Sequence, residues 1–88
     1  MTVQYFKGKQ EFTFHVSDAK TTTLIIKTNG SIETYPYNEE NFEIVIKALE
    51  WLCQQQPGIF RLLYLDIVPW SKMVKIFLSL ARKHGVTL

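Results

Sequence analysis

This sequence is short of most of what marks a dedicated chemistry. One cysteine, Cys53, stands alone in 88 residues, so no disulfide framework and no zinc-type Cys/His spacing can be built from it. Its place in a helical apolar pattern marks it as a buried structural thiol. The four glycines are isolated from one another, and none belongs to a glycine-rich loop that cradles phosphate. An excess of one charge is missing too. Ten Lys and Arg against eight Asp and Glu leave a formal net charge of +2, with no basic stripe of the kind that tracks a nucleic-acid backbone. No stretch approaches the ~18 apolar residues of a membrane span, and the opening "MTVQYFKGKQEF" lacks the apolar centre of a signal peptide. Low-complexity tracts, repeats and linkers are absent. These absences lead to the expectation of a cytoplasmic protein with neither a nucleic-acid nor a membrane partner.

What the chain has instead is apolar content. At 47% hydrophobic and 14% aromatic, 88 residues suffice for one folded domain with one core and leave no room for a second. From Val3 to Tyr37 the apolar period is two. "VQYF" and "EFTFHV" flank Lys7-Gly8-Lys9-Gln10, and "TTLIIKT" and "SIETYPY" flank Asn29-Gly30. The second pair is a strong hairpin signal, because a type I′ turn needs positive φ at both central residues and Asn and Gly tolerate it best. "SDAKT" joins the two hairpins as a loop. Pro36 has no N–H for a ladder, so its strand should lie at an edge or end there.

After Tyr37 the period becomes 3.6. Asn38 or Asn41 is placed to cap a helix whose apolar face reads Phe42, Val45, Ile46, Leu49, Leu52 and Cys53. Glu43 and Lys47 stand four apart on its other side, in the favourable order for an ion pair. Trp51 falls on the shoulder with Ile44 and Ala48. "QQQPG" stops the helix, and "IFRLLYLDIV", apolar on both parities, is expected as an interior strand. Pro69 suits the start of another helix, with Met73, Ile76, Phe77 and Leu80 facing the core and Lys72, Lys75, Arg82 and Lys83 solvated. Gly85 ends it, and "VTL" is expected as a last short strand. The expected fold is therefore α+β: two N-terminal β-hairpins, then α-β-α and a final β, with a mixed sheet and two helices on one face.

Candidate chemistry collects at one corner. Asp66 would sit at the carboxyl end of the interior strand, where open α/β sheets bind ligands. A phosphoryl-accepting or magnesium-binding aspartate needs a second carboxylate nearby, yet Ile67, Val68 and Pro69 come next. The plain reading is a carboxylate that caps the following turn. Ser71 has no Gly-x-Ser-x-Gly context and no evident histidine partner, which leaves it a cap or surface residue. His15 and His84 do not assemble a metal set. No catalytic residue, metal or cofactor is expected. The strand aromatics Tyr5, Phe6, Phe12, Phe14, Tyr35 and Tyr37 read as sheet packing, since a stacking platform for single strands wants basic residues interleaved on the same face. Trp70, on the stiff turn behind Pro69, is of the type that anchors protein interfaces.

The segments "YNEENFEIVIKALEWL" and "RLLYLDIVPWSKMVKIF" resemble the SiaC family of bacterial regulatory proteins, which are STAS-like and related in fold to the SpoIIAA anti-sigma-factor antagonists. That family shows a helix ending in an acidic-Trp-apolar pattern, a strand like "RLLYL", an Asn-Thr-Ser-Ser corner and a helix. The resemblance implies a domain that works by binding partners and is switched by phosphorylation of a corner hydroxyl. Here the corner reads Asp66-Ile67-Val68-Pro69, so those hydroxyls are gone, and Ser71 does not match their position. A second resemblance is to the periplasmic domain of ExbD and TolR, through "VPW" and "ARKHGV". It implies a part of a membrane energy-transducing complex and an apolar segment upstream of Met1.

These readings converge on a small non-catalytic regulatory or scaffolding domain that acts by protein–protein contact through Asp66, Pro69, Trp70 and Ser71. A homodimer is expected as well, because helices on one face leave the other uncovered and the aromatic strands would make that face apolar. The rival reading is an enzyme that uses Asp66.

Overall fold

The computed structural model describes residues 2–17, 21–67 and 73–88. The first half forms four antiparallel strands in chain order: β1 (Thr2–Lys7), β2 (Gln10–Val16), β3 (Thr22–Thr28) and β4 (Ser31–Pro36). Each strand pairs with the next, so the sheet is a meander with β1 and β4 at its edges. Both expected hairpins are present, with Lys7 opposite Gln10 and Thr28 opposite Ser31. Asn29 and Gly30 both take positive φ, 46° and 86°, as a type I′ turn requires. The β2–β3 connection is held at its base by Ser17 and Thr21, whose hydroxyls lie 2.7 Å apart. Pro36 is the last residue of an edge strand, where its missing donor does no harm.

The register brings Val3, Tyr5, Phe12, Phe14, Val16, Leu24 and Ile26 to one face of the sheet, cross-paired as Tyr5–Phe12–Ile26 and Val3–Phe14–Leu24. That face is buried under the helices, with Ile26 partly covered at its margin. The opposite face carries Thr2, Gln4, Glu11, Thr13, His15, Thr23, Lys27 and Thr34 with only scattered apolar residues. The expectation of an apolar uncovered face is therefore corrected. In "EFTFHV" both phenylalanines share one parity, and all of the strand aromatics except Phe6 fall on the covered side.

Three helices follow among the described residues: α1 (Phe42–Gln55), α2 (Pro57–Ile67) and α3 (Val74–His84). The α+β class and the order of hairpins before helices are as expected. Three finer expectations are not. The run 59–67 is helical and not an interior strand, the sheet is wholly antiparallel and not mixed, and Val86–Leu88 form no strand. An apolar run of this length fits both periods. Its leucines, which favour helix, outnumber its β-branched residues, and Pro57 occupies a first-turn position that tolerates proline. Proline thus both ends α1 and begins α2.

Val45, Ala48, Leu49, Leu52 and Cys53 are the buried side of α1. Phe42 is exposed and Ile46 half-buried, so the expected apolar face is displaced toward Ala48 and Trp51. The Asn41 side chain makes no cap hydrogen bond. Instead Asn38 Oδ1 accepts from the Asn41 N–H at 2.9 Å, and Asn41 Nδ2 donates to the Pro36 carbonyl at 3.0 Å. The two asparagines thus fold the link between sheet and helix and do not cap the helix itself. Met73, at the start of α3, and Phe77 and Leu80 on it are buried as expected, whereas Ile76 is only half-buried and Ala81, not expected there, is buried; Gly85 in the left-handed region (φ 68°) terminates the helix. Phe60 of α2 lies 4.8 Å from Phe77 between ring centroids, and Tyr64 lies 5.7 Å from the same ring. One core holds side chains from β1, β2, β3 and all three helices.

Candidate functional site

Asp66 lies in the last turn of α2 and not at a strand mouth, while Pro69, Trp70 and Ser71 lie outside the described residues. The last turn of a helix presents the negative end of its dipole, which favours cations, and α2 has no basic residue there. Asp66 Oδ2 is buried and has no hydrogen-bond partner among the described residues. Leu62, Leu65 and Asp66 stand at i, i+3 and i+4, so they share one helix face. Phe60 and Leu63 are fully buried on the other side, yet Leu62 is 57% and Leu65 70% exposed. Arg61 is occupied elsewhere, since its Nε donates to the Thr87 carbonyl at 2.8 Å and ties the segment after α3 to α2.

The other titratable side chains assemble a second cluster that sequence reading did not find. Glu50 Oε2 of α1 receives Lys83 Nζ at 2.8 Å and His84 Nε2 at 3.0 Å from the last turn of α3. Gln54 Nε2 stands 3.3 Å from His84 Nδ1, so the amide donates to one ring nitrogen while the other donates to the carboxylate. Hydrogen bonds from Lys83, then from His84, hold the Glu50 carboxyl below its usual range. Cys53 is buried one turn after Glu50, and its Sγ lies 3.8 Å from the Leu80 carbonyl. Burial foremost, with the Glu50 charge adding to it, pushes the thiol up. That disfavours the thiolate a nucleophile needs. The cluster joins α1 to α3 and holds no exposed nucleophile. Among the described residues no group of three or more His, Cys, Asp and Glu is placed to hold a metal ion. No helix among them is long and apolar enough to cross a membrane.

Trp51 stands on the expected shoulder of α1 with Ile44 and Ala48. It stacks on Tyr5 at 5.4 Å and 12°, and Tyr5 stacks in turn on Phe12 at 5.2 Å and 18°. The buried Tyr5 hydroxyl donates to the Ala48 carbonyl at 3.4 Å, which ties the sheet to α1. Burial pushes its phenol well above the usual range. A notch of about 200 Å³ opens beside these rings, lined by Lys7, Phe12, Ile26, Ile44, Lys47 and Trp51 among others. The Lys7 ammonium lies 5.7 Å from the Trp51 ring centre. A second cavity of about 280 Å³ separates α1 from α3 and is lined by Phe42, Ile46, Lys75, Ile76, Ser79 and Leu80. At the edge of the sheet the Tyr35 hydroxyl donates to the Glu33 carboxylate.

No family model, no curated protein and no solved structure matches this chain.

Proposed function

We propose that this domain is non-catalytic and works by protein–protein contact through the outer face of α2. The observation that supports this reading is the union, on one face, of two exposed leucines with the buried Oδ2 of Asp66, which has no hydrogen-bond partner among the described residues. A carboxylate in that state is unfavourable for folding. It suits a partner segment that brings a Lys or Arg to Asp66 and seats an apolar side chain on Leu62 and Leu65. A desolvated ion pair of this kind fixes register, and the leucines supply the apolar area. The reading rests on this face and not on the family resemblance, whose strand at "RLLYL" is a helix here.

The test pairs binding with stability. The full chain is used to capture partners from its native cells, each partner is purified, and binding is remeasured with Leu62→Ser/Leu65→Ser and with Asp66→Asn. Both variants should lose the partner. Asp66→Asn should also leave stability unchanged or raise it by about 0.3–1 kcal/mol, because it removes a charge from the wrong end of a helix. A purified partner that binds both variants like the parent would end this reading.

A second reading, a homodimer, is favoured by the sheet's edges. Phe6 on β1 and Ile32 on β4 are 67% and 63% exposed and sit on the two edge strands. Two copies joined through β4 would extend the sheet and cover Ile32. A charge on an edge opposes such pairing, so Ile32→Lys should turn a dimer into a monomer in sedimentation velocity. A parent chain that is monomeric at high micromolar concentration would exclude it.

A further inference from the structure

We infer that the notch between α1 and the sheet is a binding site for a compact organic anion with a flat, apolar body, such as an aromatic carboxylate. The site is separate from the α2 face and does not depend on it. Its floor is aromatic, because the Trp51–Tyr5–Phe12 column presents ring carbons to the notch, with Ile26 and Ile44 beside it. Its cations come from two elements. Lys7 is the last residue of β1, on the covered parity of that strand, and Lys47 lies one helical turn before Trp51 on α1. Neither lysine forms an ion pair among the described residues; those found there all end on Glu50. Glu43, which the sequence places at ion-pair spacing from Lys47, does not close that pair.

Two ammonium groups that have no ion-pair partner among the described residues, one of them set over the Trp51 ring, line one apolar recess, and an anion between them is attracted by both. A carboxylate at the rim meets both cations while its ring stacks on the floor. The size is restrictive as well. About 200 Å³ is below the roughly 300–1,000 Å³ of sites for drug-sized ligands, which selects a body of one or two fused rings. A long acyl chain or a dinucleotide does not fit. Lys9, which points the same way in sequence, belongs to the turn and does not line the notch.

The probe is 2-naphthoate, titrated into the full chain carrying Trp70→Phe, with the remaining indole N–H of Trp51 followed by ¹H–¹⁵N correlation spectra. A saturable shift of that resonance is expected. Lys7→Gln and Lys47→Gln, both at exposed positions, should each weaken binding about fivefold. 2-Naphthamide, which keeps the shape without the charge, should bind about tenfold more weakly than the acid. Equal binding of amide and acid, or unchanged binding by both lysine variants, would overturn the anion assignment. Absence of a saturable shift would show that the lysine stems merely shield the rings, and the site would be rejected.

Discussion

Helix α2 is the element on which both the fold and the proposed contact turn, and four alanine substitutions test it. A strand would place Phe60 and Leu62 on one face and Leu63 and Leu65 on the other. The helix instead buries Phe60 and Leu63 and exposes Leu62 and Leu65. Fully buried Leu63 should lose about 2–5 kcal/mol on truncation, and Phe60 about 3–5 kcal/mol because it also gives up its contact with the Phe77 ring. Leu62 and Leu65 keep less than half of a leucine's burial, which is worth about 1.5–3 kcal/mol when complete. Each should therefore lose only about 1 kcal/mol or less. A chain of 88 residues has roughly 4–13 kcal/mol of stability in total, so the two pairs separate clearly. Urea denaturation followed by far-UV circular dichroism measures the difference at constant m-value. If Leu62→Ala or Leu65→Ala costs as much as Leu63→Ala, the assigned face is wrong. The proposed contact surface then falls with it, because its leucines would be core.

Other outcomes follow from the same packing. Leu49→Ala and Phe77→Ala, both at fully buried positions, should each lose about 2–5 kcal/mol, and parent-like melts would refute the helix faces. Glu50 has its pKa depressed by folding, so its contribution is present above its unfolded value of about 4.5 and is lost as pH falls through the lower folded value. Melting temperature should accordingly drop on acidification below about pH 4.5 by more in the parent than in Glu50→Gln; equal acid slopes would refute the cluster. Cys53 should react with a thiol reagent only as fast as the protein opens, since the thiol is buried and its thiolate disfavoured. Rapid stoichiometric labelling of the folded chain would contradict its placement.

The elements that depend on local chemistry were legible in the sequence. Asn29-Gly30 dictates its hairpin because few other residues accept two successive positive φ values. Pro36 marks the end of an edge strand because it lacks a donor, and the 3.6 period of α1 and α3 names most of their buried residues. The one-sided aromatic face was legible as well, in the parity of Phe12 and Phe14, although it yields the opposite conclusion about the uncovered side. Tertiary structure alone decided the rest. "IFRLLYLDI" satisfies both periods, and as an interior strand it would need a neighbour on each side. A meander that pairs each strand with the next leaves no interior slot, so the segment completes the core as a helix through Phe60 and Leu63. Asp66, Glu50 and Trp51 take their surroundings from that outcome. The partners of Glu50 and Trp51 come from residues far along the chain, and no local pattern encodes a contact between Glu50 and His84 or between Trp51 and Tyr5.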